Sequence, residues 1–133
     1  MAVSRPTVKR EEHEMKVIDL VNEFGLLVFS GESGLEKEIA GGYVSDLLSD
    51  VMGFAHEGEV WITLQTHQNV MAVASLKDLA AVILVRGFPP EPETIEHSRE
   101  EGIPVLGTSM PTFEIAGKLY ALLNNPGPEA GDR

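Results

Sequence analysis

Hydrophobic and polar residues alternate along the chain in blocks that predict helices and strands in turn. Val17, Leu20, Val21 and Phe24 recur at helical spacing, and Gly25 directly after them is a natural helix end. Short runs that are apolar at nearly every position instead predict strands buried on both faces. Such runs lie at residues 26–29, 60–64, 81–85 and 103–108, with a very short strand at 43–44.

Five helices fit before, between and after these strands. The patterns predict helices at 15–24, after a cap at Ser45, at 67–78 and at 93–101, where Pro92 suits the first turn and Gly102 ends the helix. The helix after Ser45 carries apolar residues at helical spacing, namely Leu47, Leu48, Val51, Met52 and Ala55. In the last helix we expect one face to be lined by Phe113, Ala116, Gly117, Tyr120 and Leu123.

Five strands alternating with five helices predict an α/β fold. We expect three α/β/α layers around a mainly parallel sheet of about five strands, one of which could run antiparallel. Residues 15–123 form the predicted domain, residues 1–14 a flexible N-terminal segment and residues 124–133 a disordered tail.

Composition excludes several classes of function. The 133 residues include no cysteine, which excludes disulfides, thiolate zinc sites, iron–sulfur clusters and cysteine nucleophiles. The net charge of −11, from 21 acidic and 10 basic residues, works against nucleic-acid binding, which requires cations. The longest apolar run, 79–85, is too short to cross a membrane, and the N-terminus lacks the apolar core of a signal peptide. We therefore expect a cytoplasmic protein with no membrane or nucleic-acid partner.

Polar residues follow three of the predicted strands, at the edge where ligands of open α/β sheets gather. The loop that follows each of these strands, here called a crossing, leads into the start of a helix. The free backbone N–H groups of a helix start favour a small anionic ligand, and Arg86 is the only cation at the three crossings. The candidate ligand-binding residues are Thr63, Thr66, His67, Gln68, Asn69, Arg86, Thr108, Ser109 and Thr112.

Plain helix capping explains each of these residues equally well when it is taken alone. Thr66 with Asn69, and Ser109 before Pro111, are typical helix starts without any ligand. His67 near a helix start is a poor permanent cation, and no carboxylate close in sequence orients it as a base. We therefore interpret His67 as a ligand contact or a cap.

Catalytic and metal motifs are missing from the sequence. It has no phosphate-binding G-x-x-x-x-G-K-[ST], no G-x-G-x-x-G, no G-x-S-x-G and no H-E-x-x-H. The four histidines lie in different segments without ligand spacing, so we predict neither a metal site nor a cofactor.

Two features near the middle of the chain predict contacts with a second molecule. Gly41 and Gly42, before the strand at 43–44, indicate backbone with positive φ or close approach to another chain or ligand; an ordinary flexible loop is the alternative. The segment GGYVSDLLSDVMGFA, residues 41–55, holds more apolar residues than one helix face needs. It therefore predicts a symmetric homodimer.

The stretch GLEKEIAGGYVSDLLSDVM, residues 34–52, resembles the DRTGG domain family. Glu36-Lys37 stand where that family has Asp-Arg, and Ala40-Gly41-Gly42 replace its Thr-Gly-Gly. The likeness extends through GEVWITLQTHQNVMAVASLKDLAAVILVRG and EEGIPVLGTSMPTFEIAGKLYALL, to about residue 123.

The resemblance implies a layered α/β domain similar to the N-terminal domain of HPr kinase/phosphorylase. In pyrophosphatases with CBS domains and in phosphotransacetylases, DRTGG domains are regulatory, dimer-forming units, and adenine nucleotides regulate those pyrophosphatases. Our preferred hypothesis is a non-catalytic, stand-alone regulatory module that dimerises and binds a partner protein or a small anionic ligand such as an adenine nucleotide. One alternative is a small enzyme or phosphotransfer component using His67. Another is a pure assembly protein, such as one associated with hydrogenases.

Overall fold

The computed structural model describes residues 14–124, which contain five α-helices, five strands and a short 3-10 helix, Glu32–Gly34, between the first two strands. The predicted flexible segment at 1–13 and the predicted tail at 125–133 lie outside the described residues. The strands are β1 (Leu27–Ser30), β2 (Gly41–Val44), β3 (Glu59–Thr63), β4 (Ala81–Leu84) and β5 (Val105–Gly107). The helices are α1 (Val17–Phe24), α2 (Leu48–Phe54), α3 (Asn69–Leu76), α4 (Pro92–Glu101) and α5 (Thr112–Asn124).

All five strands form one sheet in the order β1-β5-β4-β3-β2. The neighbours from β2 to β5 are parallel, while β1 is antiparallel to β5 at one edge. Residues of α1 and α5 join the core on one face, and residues of α2 and α3 join the core on the other. The predicted mainly parallel α/β sheet is confirmed, including its antiparallel strand. No helix within residues 14–124 has the length and hydrophobicity to span a membrane.

Several helix ends lie where the sequence places them. Gly25 and Gly102 both adopt the left-handed conformation after α1 and α4, with φ of 63° and 68°. Pro92 occupies the first turn of α4, where its missing N–H costs nothing. At the start of α1, Asp19 accepts a hydrogen bond from the backbone N–H of Lys16 at 2.9 Å.

The first and last strands differ from the prediction. The expected buried strand at 26–29 is the edge strand β1, shifted by one residue, and Leu27 is 62% exposed. β1 pairs only with β5, so the sheet does not enclose it. The predicted strand at 103–108 shortens to β5 because Pro104 supplies no N–H to a ladder.

Helix α5 meets the core mainly through residues outside the predicted apolar face. Ile115 and Leu119 are buried against the sheet, whereas Phe113 is 92% exposed and Tyr120 71% exposed. The predicted face is a second apolar stripe that reaches the core only through the partly buried Ala116 and Leu123. Asn124, assigned by sequence to the tail, is the last residue of the helix.

Helix α2 also leaves apolar side chains outside the core. Val51 is fully buried, but Phe54 is 66% exposed and Leu47, just before the helix, is 64% exposed. Ser45 does not cap the helix directly; its Oγ accepts the backbone N–H of Leu47 at 3.1 Å. Beneath this turn, the buried Trp61 donates from its indole nitrogen to the Ser45 carbonyl at 2.8 Å.

Two buried serines connect β1 to α4. The Ser30 hydroxyl donates to the Ser98 Oγ at 2.9 Å, and Ser98 donates to the Ile103 carbonyl at 2.6 Å. Both serine side chains are completely buried. Without the Ser98 hydroxyl, the Ser30 hydroxyl and the Ile103 carbonyl would both lose a hydrogen-bond partner. Buried polar groups without partners are costly in free energy.

We expect Ser98→Ala to lower the free energy of unfolding by about 1–3 kcal/mol, because it leaves the Ser30 hydroxyl and the Ile103 carbonyl unpaired. Urea denaturation monitored by circular dichroism measures the loss. Ser75→Ala, which removes a hydroxyl bonded to Glu101 at the surface, should change stability by less than about 0.5 kcal/mol. Equal effects of the two substitutions would contradict the role given to the buried pair.

Candidate functional site

The carboxyl end of β3 is organised by Asp46, a residue that sequence reasoning missed. The buried Thr63 hydroxyl donates to Asp46 Oδ1 at 2.9 Å, and the backbone N–H of Leu64 donates to the same oxygen at 2.7 Å. Gln65 Nε2 donates to the Asp46 carbonyl at 2.7 Å. Thr63 is thereby committed to joining the β2 and β3 crossings. The sequence signal that could have identified Asp46 is its position as an acidic residue just after β2, the parallel neighbour of β3.

Thr66 holds the start of α4 through its carbonyl group. This oxygen accepts the backbone N–H of Glu91 at 3.1 Å and the hydroxyl of the buried Thr94 at 2.8 Å. These two donors fix the crossing after β3 against the helix start at the next crossing, after β4. These bonds involve the Thr66 backbone and give its side chain no ligand-binding role of their own.

His67 makes a local hydrogen bond at the start of α3. Its Nδ1 accepts the backbone N–H of Asn69 at 3.1 Å, two residues along the chain. Asn69 and the imidazole are exposed, and Gln68 is half-buried at the N-cap position without a side-chain cap bond. The sequence predicts a ligand contact or a cap at His67. The hydrogen bond from the Asn69 N–H is the kind of local contact that a cap makes.

The crossings after β4 and β5 are joined by backbone hydrogen bonds. Arg86 has a φ of 60°, and its N–H donates to the Met110 carbonyl at 3.0 Å. The N–H of Gly87 donates to the Thr108 carbonyl at 2.9 Å, while Thr108 Oγ1 accepts the N–H of Met110 at 3.1 Å. Arg86 is therefore held in a conformation unusual for a side-chain-bearing residue, with its side chain exposed.

A cavity of about 330 Å³ opens at these joined crossings. Thr108 and Ser109 line it together with residues of α1 and β1, and Arg86 precedes the lining residue Gly87. The lining consists of Phe24, Gly25, Leu27, Phe29, Gly87, Phe88, Gly107, Thr108, Ser109 and Met110. The structure thus places Thr108 and Ser109 at the cavity and Arg86 next to it along the chain, whereas the residues from Thr66 to Asn69 are not in this lining. Thr112 begins α5 and is also outside it.

A second, larger groove runs between β2 and α5. Its volume is about 660 Å³, and most of its lining is apolar. The lining residues are Ala40, Gly41, Gly42, Tyr43, Val44, Glu59, Ile62, Phe113, Ala116, Gly117, Leu119, Tyr120, Leu123 and Asn124. Glu59 is the only charged member, and its Oε1 accepts the His56 backbone N–H at 2.7 Å. Helical spacing in α5 carried the signal for this groove, because the sequence analysis grouped Phe113, Ala116, Gly117, Tyr120 and Leu123 on one face.

Gly41 and Gly42 lie inside β2 rather than before it, and neither has a positive φ. The positive-φ interpretation of this pair is therefore wrong. A Cβ added at Gly42 would stand 3.0 Å from Leu119 Cδ2, so the close approach at this position is to the chain's own helix α5. Glycine here lets α5 lie directly over the edge strand.

Tyr43, the next residue of β2, packs against the core on the α2 face of the sheet. Its hydroxyl donates to Asp50 Oδ2 at 2.8 Å, joining β2 to α2. This bond, together with burial and the negative charges of Asp50 and Glu59, raises the pKa of Tyr43 above its usual value. The phenol stays protonated and keeps the two elements connected.

A third cavity, of about 910 Å³, lies at the amino ends of the strands. Acidic side chains dominate its charge: Glu14, Glu38, Glu57 and Asp78 line it beside one lysine, Lys37. The Lys37 ammonium is 4.0 Å from the Asp78 carboxylate. Within residues 14–124 no three histidine or acidic side chains are grouped so that they could hold a metal ion.

Comparison with known proteins identifies a family and similar solved structures. The family model of the DRTGG domain matches residues 19–122. No curated protein matches the chain. A crystal structure of the CBS and DRTGG domains of the regulatory region of Clostridium perfringens pyrophosphatase, complexed with its activator diadenosine tetraphosphate, has a TM-score of 0.62 and 18% sequence identity. The likeness covers 78% of this chain and 45% of that one, so this chain spans less than half of its length.

We expect His67→Ala to lower the free energy of unfolding by about 0.5–1 kcal/mol, the usual loss when a helix start loses its side-chain acceptor. His67→Asn should keep wild-type stability, because an asparagine oxygen accepts the N–H two residues ahead in the same way. His97→Ala, at an exposed position in α4, is the matched control. Thermal denaturation of the three variants measures these effects. Unchanged stability of His67→Ala would contradict the capping role of His67.

Proposed function

The chain belongs to the DRTGG domain family, and we propose that it is a regulatory and interaction module that self-associates and responds to a small anionic ligand. In this proposal the chain has no catalytic role of its own. It transmits the presence of a ligand, with an adenine nucleotide as the first candidate, to a partner protein through a change in assembly.

The observation that carries this proposal is the apolar surface left outside the core. Phe113 and Tyr120 on α5 and Leu47 and Phe54 beside β2 are large, apolar and mostly exposed. Exposed apolar patches of this kind mark contact surfaces with other macromolecules. An otherwise acidic chain that leaves these side chains in water is suited to burying them against a partner.

The ligand part of the proposal starts from the crossings after β4 and β5. Arg86 is a charged donor whose backbone is fixed by the Met110 carbonyl, and the neighbouring cavity contains the hydroxyls of Thr108 and Ser109. Hydroxyl groups at the cavity and a guanidinium on the adjoining residue of the chain are suitable donors for a phosphate. The similar Clostridium perfringens structure contains diadenosine tetraphosphate, which makes adenine nucleotides the natural first ligands to test here.

Most polar groups at the β3 crossing already have partners in this chain. Asp46 occupies the Thr63 hydroxyl, and the Asn69 N–H occupies His67 Nδ1. A ligand at this crossing would have to displace those bonds. The proposed anion site therefore consists of Arg86, Thr108 and Ser109, with the residues from Thr66 to Asn69 supporting the neighbouring helix starts.

Self-association predicts a solution mass of twice the 14.4 kDa of one chain. Multi-angle light scattering after size exclusion, at micromolar concentration, measures this directly. Burial of the α5 stripe or of the α2 side chains is the physical reason, since each would remove apolar surface from water. A mass of one chain at these concentrations would contradict the dimer.

Ligand binding predicts that Arg86→Ala weakens the affinity for diadenosine tetraphosphate or ATP by about tenfold, the loss expected for one charge-assisted hydrogen bond. Isothermal titration calorimetry of the full chain with each nucleotide, and with inorganic phosphate, provides the measurement. Arg99→Ala removes the same charge from the surface of α4 and should leave affinity unchanged. An equal loss of affinity in both variants would indicate an effect of net charge alone. If none of the three probes binds, the proposed ligand-binding role is wrong.

A further inference from the structure

The two edges of the sheet differ in how they are protected. β1 carries an irregularity between Val28 and Ser30, where its register with β5 shifts. Such bulges prevent an edge strand from pairing with another chain. β2 has the sequence GGYV, with no proline, no charge and a regular register along β3. Its outer backbone groups therefore form an open template for another strand.

Helix α5 lies beside this open edge and carries a glycine that no contact within residues 14–124 requires. In that part of the chain nothing lies within 4 Å of a Cβ built at Gly117, although a glycine inside a helix is unfavourable. Gly117 lines the groove between α5 and β2. Such a glycine is suited to the close approach of a second molecule.

The stripe on α5 is nearly symmetric about the midpoint between Ala116 and Gly117. Phe113 and Tyr120 are equally far from this midpoint, and the small residues lie at its centre. An antiparallel second copy of the helix would set Phe113 level with Tyr120 of that copy and Ala116 level with its Gly117. Aromatic rings would then pack at both ends of a close contact between small residues.

Charge also favours a second copy as the occupant. The groove contains only one acidic residue, Glu59, in a chain with a net charge of −11, so self-association there avoids most of the repulsion. The charged residues Glu114 and Lys118 of α5 are not among the lining residues of the groove, so the contact buries neither charge.

We infer that two copies of this chain associate through β2 and α5 about a two-fold axis perpendicular to the sheet. That axis places β2 antiparallel to β2 of the second copy and, on the same face, α5 antiparallel to α5. The two five-stranded sheets then form one continuous sheet of ten strands, with the two copies of β2 at its centre. This inference rests on the proposed self-association and specifies its surface, which shares β2 with the segment 41–55 suggested by the sequence and uses α5 in place of α2.

Gly117→Arg tests the surface without disturbing the single chain, because the space around Gly117 is open and arginine is a better helix former than glycine. We expect the dimer dissociation constant from sedimentation velocity to rise about tenfold or more, as for a bulky group placed in an interface centre. The melting temperature of the isolated chain should not fall. Gly53→Arg is the matched control, since Gly53 is also an exposed helical glycine with open space around it, on α2.

Hydrogen exchange separates strand pairing from helix packing. In wild-type protein the amides of residues 42–44 should exchange more slowly at high than at low protein concentration, and Gly117→Arg should abolish this dependence. A dimer lost in Gly53→Arg and kept in Gly117→Arg would overturn the inference and leave the proposed self-association intact. A dimer sensitive to Gly117→Arg whose β2 amides show no concentration dependence would overturn the strand pairing. A wild-type monomer would overturn both this inference and the self-association.

Discussion

The double burial of β4 is the constraint on which the rest of the fold depends. Every residue from Ala81 to Leu84 is buried, with β3 and β5 on either side and helices over both faces. An apolar run of this kind cannot face water on either side, so it requires a sheet that continues in both directions and two covering layers. The parallel order of the neighbouring strands then brings their carboxyl ends to one edge. There Asp46, Thr66 and the backbone at Arg86 join one crossing to the next.

Those connections use the same groups that a ligand site would need. The Thr63 hydroxyl, the His67 imidazole and the Thr66 carbonyl all accept or donate within the chain. The crossings after β4 and β5 place Thr108 and Ser109 at a cavity, with Arg86 adjoining its lining. The two most exposed apolar side chains of the described residues, Phe113 and Tyr120, lie elsewhere, on α5. The molecule therefore keeps its candidate anion site apart from the apolar surface of α5.

Local chemistry explains why the sequence predicted the sheet and the helix ends well. Continuous apolar runs identified β3 and β4, and Gly25, Pro92 and Gly102 marked helix ends because their backbone preferences are intrinsic. Features that depend on strand order were harder to predict. The edge position of β1, the anchoring role of Asp46 and the outward face of α5 follow from which strands are neighbours. Spacing alone finds an amphipathic stripe in α5 but does not tell which of two apolar faces meets the sheet.

Trp61 gives this architecture an optical consequence. It is the only tryptophan in the chain, it is fully buried, and its indole donates to the carbonyl of Ser45 between β2 and α2. The emission spectrum of an indole shifts to longer wavelength when water reaches it. The intrinsic fluorescence of the protein thus reports on a single place, the turn that joins the edge strand to the helix beside it. Any event that loosens this turn changes the colour of that emission, with no label attached.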